Sequence, residues 1–100
     1  MQIARVLGTV TSTQKEPSLR GTKFLVVQFI DDDGEPLSGY EVAADNVGAG
    51  VGEWVLVSHG SAARQVPGSE QRPLDAAVIA IIDTVGVENR LLYSKRDQDR

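Results

Sequence analysis

The apolar runs of this chain are short, rich in β-branched residues, and repeatedly broken by Gly, Pro and Asp, and this feature most limits what it can fold into. Ile3–Val10 reads I-A-R-V-L-G-T-V, Phe24–Ile30 reads F-L-V-V-Q-F-I, and Glu53–Ser58 reads E-W-V-L-V-S. Runs of this length and composition predict strands. Gly8 marks a bend or a close backbone approach in the first strand. The second run has polar character only near Gln28, which predicts a strand buried on both faces.

Between these runs lie turns. Gln14–Gly21 holds Pro17 and reads as a loop. Asp31-Asp-Asp-Gly34 ends in D-G, a hairpin signal. Leu37–Ala43 predicts a third strand with Tyr40 and Val42 on one face. The stretch 44–52 carries Gly48, Gly50 and Gly52 and reads as a loop whose backbone visits positive φ. Gly60–Gln65 predicts one short helix, N-capped by Ser61 and ended by Pro67-Gly68. Ala76–Val87 reads as one long strand, with Asp83 where it leaves the core, and Leu91–Tyr93 as a short final strand.

This pattern predicts a mainly β fold: a small five-stranded OB-like barrel with one short helix. An SH3-like barrel and a small sandwich fit the same pattern. A chain of 100 residues suits one domain, able to bury roughly 60–70% of its unfolded surface. Residues 1–93 are assigned to the barrel domain and 94–100 to a charged, flexible tail.

Several functions are disfavoured. The net charge is −4, which weighs against general nucleic-acid binding because phosphate contacts need clustered Lys and Arg. Lys15, Arg20 and Lys23 do gather near the first loop, and an OB-type nucleic-acid or small-ligand binder is the alternative reading. Phe24, Phe29 and Trp54 read as core rather than as a base-stacking platform. There is no Cys, which removes disulfides and thiolate metal sites and leans toward a cytoplasmic setting. No apolar run reaches membrane-span length, and no signal peptide is visible.

Catalytic machinery is sparse. His59 is the single histidine; a strand-end or interface role is expected, with an enzyme built around it at a subunit interface as a third hypothesis. The three contiguous aspartates lack the spacing of a calcium loop and read as a solvated turn. Gly48–Gly52 is followed by a strand rather than a helix, so a tight turn is favoured over a phosphate cradle. Asp45 and Asp83 read as acceptors for turn or partner N–H groups rather than an acid–base pair. No catalytic residue, cofactor or metal is assigned. The small-residue segments Gly48–Gly52 and Gly60–Ala63 point instead to close packing between chains.

The chain resembles the EutN/CcmL family of bacterial microcompartment vertex proteins. The resemblance rests on V-L-G-T-V-T-S-T-Q-K (Val6–Lys15), L-R-G-T-K (Leu19–Lys23), A-A-D-N-V-G-A-G (Ala43–Gly50), W-V-L-V (Trp54–Val57), G-S-A-A-R (Gly60–Arg64) and P-L-D-A-A-V-I-A-I-I-D (Pro73–Asp83). Within the family it looks closest to the carboxysome members, through V-Q-F-I-D (Val27–Asp31), Y-E-V-A (Tyr40–Ala43), E-W-V-L-V (Glu53–Val57) and L-Y-S-K-R-D (Leu92–Asp97). The resemblance implies a non-enzymatic shell protein, an OB-like barrel closing into a cyclic homopentamer with a pore on its axis. Such pentamers would occupy the vertices of a carboxysome shell in the cytoplasm, around Rubisco and carbonic anhydrase. The implied partners are the hexameric shell proteins and, as a further candidate, the scaffold protein CcmM. Gly48, Ala49, Gly50, Gly60, Ser61 and Ala62 are the candidate subunit-interface or tight-turn positions, and Asp45, Arg64 and Asp83 the candidate polar anchors.

Overall fold

The computed structural model describes residues 1–12, 16–60 and 75–98. Ser61, Ala62, Arg64 and all but the first residue of the expected helix lie outside them. Strands β1 (Gln2–Val10), β2 (Lys23–Phe29), β3 (Glu41–Asp45), β4 (Trp54–His59) and β5 (Ala76–Ile81) form a closed barrel in the order β1-β2-β3-β5-β4, with β4 pairing back to β1. The β3–β5 contact is parallel and short (Ala44 with Ala77, Asp45 with Val78); every other pairing in the barrel is antiparallel. This is the mainly β, OB-like barrel expected from the strand pattern.

Period two explains the core. Ala4 and Val6, Leu25 and Val27, Val55 and Val57, and Ala76 and Val78 point inward and are buried, with Ala43 beside them. Burying each Val or Leu contributes roughly 1.5–3 kcal/mol. The same alternation places Phe29, Glu41 and His59 inward at one end of the wall. Phe29 packs on the core, its ring lies 5.3 Å from that of His59, and His59 Nε2 sits 2.9 Å from Glu41 Oε2. The single histidine therefore helps close one end of the barrel.

Two expectations need correction. The third strand starts at Glu41, not Leu37, because Gly39 intervenes and takes φ +82°, a left-handed turn that breaks extended backbone. The long strand 76–87 is two strands. β5 ends at Ile81, Ile82 donates its N–H to the Trp54 carbonyl (2.9 Å), and the chain turns away at Asp83. Strand β6 (Thr84–Val87) then pairs with β7 (Arg90–Ser94) in a separate hairpin. Its two-residue turn puts Glu88 at φ +50° and Asn89 at φ +61°, as a type I′ turn requires.

The aromatic assignments also change. Val55 faces inward, so Trp54 faces outward, and it stacks on Tyr93 of the hairpin with ring centroids 4.5 Å apart at 14°. Phe24 lies on the outer face of β2, half-buried. Among the described residues, no helix is long and apolar enough to cross a membrane.

Candidate assembly surface

Asp45 ends β3 and organises the glycine-rich loop. Its Oδ1 accepts the N–H groups of Val47 (3.1 Å) and Gly48 (3.0 Å), and its Oδ2 that of Ala49 (3.1 Å). The side chain is only 1% exposed, and Lys23 Nζ lies 3.7 Å away. A buried carboxylate is tolerable only when its acceptors are filled this way. Gly48 has φ +78° and Gly52 φ +89°, which a β-carbon would strain. Ala49 points into the barrel core at 1% exposure, so its small side chain belongs to this chain's own packing.

The second half of the loop is held by Glu53. Its Oε1 accepts the Gly50 N–H at 2.6 Å, and its Oε2 pairs with Lys95 Nζ at 2.8 Å. Lys95, followed by the Gly50 N–H, holds the Glu53 carboxyl below its ordinary value, against the opposing effect of burial. A Cβ at Gly50 would sit 3.2 Å from Glu53 Oε1, so Gly50 is small to admit that carboxylate. Lys95 also donates its N–H to the Asp83 carbonyl (2.8 Å), and Lys95–Gln98 makes one helical turn. Glu53 and Lys95 escape sequence inspection because 42 residues separate them and nothing local marks either.

The remaining named positions are scattered. Gly60 takes φ +59° and donates to the Asp75 carbonyl at 2.8 Å, joining the ends of the segment that β4 and β5 flank. Asp83 is exposed where the chain leaves the barrel. In the acidic turn, Asp31 Oδ1 accepts the N–H groups of Asp33 (2.8 Å) and Glu35 (3.0 Å). Asp33 pairs with Arg90 of the hairpin at 3.1 Å. Asp31 and Asp33 are thus spent on turn geometry and hairpin docking.

The outer wall carries the larger feature. Register sets Val10, Phe24 and Ala44 in one row across β1, β2 and β3, and Gly8, Val26 and Val42 in the next. Val10 is 38% and Val42 44% exposed. A Cβ on Gly8 would meet nothing within 4 Å, and its backbone needs no glycine. Among the described residues, its missing side chain makes room for no close neighbour. The run F-L-V-V-Q-F-I predicts burial on both faces, yet one chain fully buries only Leu25 and Val27. The outer half of that apolar strand is available for a contact between molecules.

The family model described as "Ethanolamine utilisation protein EutN/carboxysome" matches residues 1–83. The chain belongs to the EutN/CcmL family. The matched residues end at Asp83, where the chain leaves the barrel. The carboxysome shell vertex protein CcmL of Gloeobacter violaceus is 70% identical over 100 residues, covering 100% of both chains. Its solved structure superposes with a TM-score of 0.92, covering 97% of this chain and all of that one. The GrpN pentameric microcompartment shell protein of Rhodospirillum rubrum is 48% identical, with a TM-score of 0.79 over 87% of this chain and 99% of its own. For a EutN/CcmL protein, the surface through which copies meet is the functional site.

Proposed function

We propose that this protein is a vertex subunit of the carboxysome shell and that five copies close into a ring at each corner. A flat lattice of sixfold units cannot close on itself; fivefold units at the corners supply the curvature that lets it enclose Rubisco and carbonic anhydrase for CO2 fixation. The observation that carries this reading is the end-to-end match to the Gloeobacter violaceus vertex protein. The half-covered apolar wall fits the same reading, because it is unbalanced in one chain and balanced in a ring. The role is structural, with no catalytic step. Hexameric shell proteins are the neighbours such a corner needs, and CcmM is a candidate inner contact.

Glycine-rich turns and the Asp45 carboxylate serve this role by stiffening the loop between β3 and β4, so that the outer wall is presented in one shape. The test is co-assembly with hexameric carboxysome shell protein, imaged by electron microscopy. Closed polyhedral particles are expected with this protein present, and sheets or open tubes without it. Closed particles in its absence, or no change on adding it, would remove the vertex role.

A further inference from the structure

One row of the outer wall is polar and aromatic rather than aliphatic. Register aligns Gln28 of β2, Arg5 of β1 and Trp54 of β4 on the outward side. Beside this row lies a pocket of about 210 Å³, lined by Arg5, Gln28, Ile30, Gly34, Pro36 and Trp54. Its walls are held in place. Tyr93 stacks on Trp54. Gln28 Nε2 donates to the Leu37 carbonyl at 3.1 Å, a bond that fixes the amide while engaging one of its two N–H groups. Gly34 turns at φ +82°, and a Cβ there would sit 3.8 Å from the Trp54 ring, so a side chain at this turn would cover the indole edge.

The charge of Arg5 has no counterpart. Lys23, Arg90 and Lys95 each face a carboxylate, whereas Arg5 enters no ion pair among the described residues. A guanidinium is a planar fork that matches the two oxygens of a carboxylate. Here it stands beside Trp54, Ile30 and Pro36, so an anion whose oxygens reach Arg5 can rest its apolar part on the same pocket's walls.

Size and charge narrow the ligand. Sites for drug-sized molecules occupy roughly 300–1,000 Å³, and this pocket is smaller. Asp31 and Asp32 line the neighbouring groove, which shares Ile30 and Trp54 with it. Glu35 precedes Pro36 at the rim. These like charges disfavour a second negative charge on the ligand.

We propose that this pocket binds a small organic monocarboxylate, its carboxylate on Arg5 and its flat apolar body against Trp54, Ile30 and Pro36. Every lining residue belongs to one chain, so the site is complete without a neighbouring copy. Recognition of a small organic acid would be a property of this protein separate from its role at the vertex.

Trp54 is the single tryptophan, so labelling with fluorotryptophan places one fluorine resonance at the pocket. Titration with sodium benzoate at constant ionic strength should move that resonance saturably. Acetate, which lacks the flat apolar body, and inorganic phosphate should move it far less at the same concentration. Arg5→Gln, shown by circular dichroism and native mass to keep its fold and assembly, should bind benzoate at least about tenfold more weakly, as for loss of a hydrogen bond to a charged group. Arg5→Lys keeps the charge without the fork and should fall between Arg5→Gln and wild type. A resonance that benzoate does not move, acetate or phosphate binding as tightly as benzoate, or an Arg5→Gln variant that binds benzoate as tightly as wild type would overturn the proposal.

Discussion

The barrel and the hairpin are both antiparallel β structure built from similar residues, but they are held by different means. The barrel closes on itself, so its strands share one interior, and Val6, Leu25, Val27, Val55, Val57 and Val78 are fully buried. The hairpin has no interior. It is attached from outside by the Trp54–Tyr93 stack, the Arg90–Asp33 pair and the Lys95–Glu53 pair. An isolated two-stranded hairpin is marginal in water, so these attachments decide whether it is ordered. The barrel supplies stability, and the hairpin supplies shape.

Substitutions should separate the two. Leu25→Ala strikes the shared interior and should cost about 3 kcal/mol through lost burial and the cavity left behind. Chemical denaturation should show a lower midpoint with barrel and hairpin lost together. Asp45→Ala removes one acceptor group from three loop N–H groups and should cost about 2 kcal/mol. Hydrogen exchange should then rise at Val47, Gly48 and Ala49 before it rises in β2. Tyr93→Ala removes the stack on Trp54, worth about 1.5 kcal/mol beyond the area it buries. Its mark is selective: β6 and β7 amides lose protection while β1 and β4 keep theirs. Equal loss in both regions would mean the hairpin is part of the barrel's cooperative unit.

The smallest effect concerns Lys95. Glu53 titrates below its ordinary 4.5 in the folded chain. The stability it contributes is therefore present above that value and is lost as pH falls through the lowered one. Lys95→Ala should reduce stability at neutral pH by about 0.5 kcal/mol, as for a partly exposed pair. The variant's unfolding midpoint should also fall less steeply than wild type below the ordinary carboxylate value. Parallel pH profiles would show that the pair does not hold the hairpin's end.

What could be read from sequence follows the same division. β1, β2, β4 and the first part of β5 were legible because period-two burial writes itself into the order of residues. Asp45 was legible as an acceptor because an Asp before a glycine-rich turn has few other uses. The hairpin was not, since A-I-I-D-T-V-G-V runs on without a Pro or a paired glycine to mark the break. The turn at Asp83 depends on Trp54, 29 residues earlier, offering its carbonyl to Ile82. Trp54 itself reads as core because its neighbours are apolar; only the inward position of Val55 shows that it must face out. The Glu53–Lys95 pair is a matter of folding geometry alone. The double-sided apolar character of β2 was visible from the start, and its meaning required the observation that one chain satisfies only half of it.

The central claim is that this wall is completed by other copies of the same chain in a ring of five. Native mass spectrometry of the purified wild-type protein tests it most directly. A dominant species at five times the chain's 10.7 kDa mass is predicted. A stable monomer at the same concentration, with the outer wall still exposed, would contradict it.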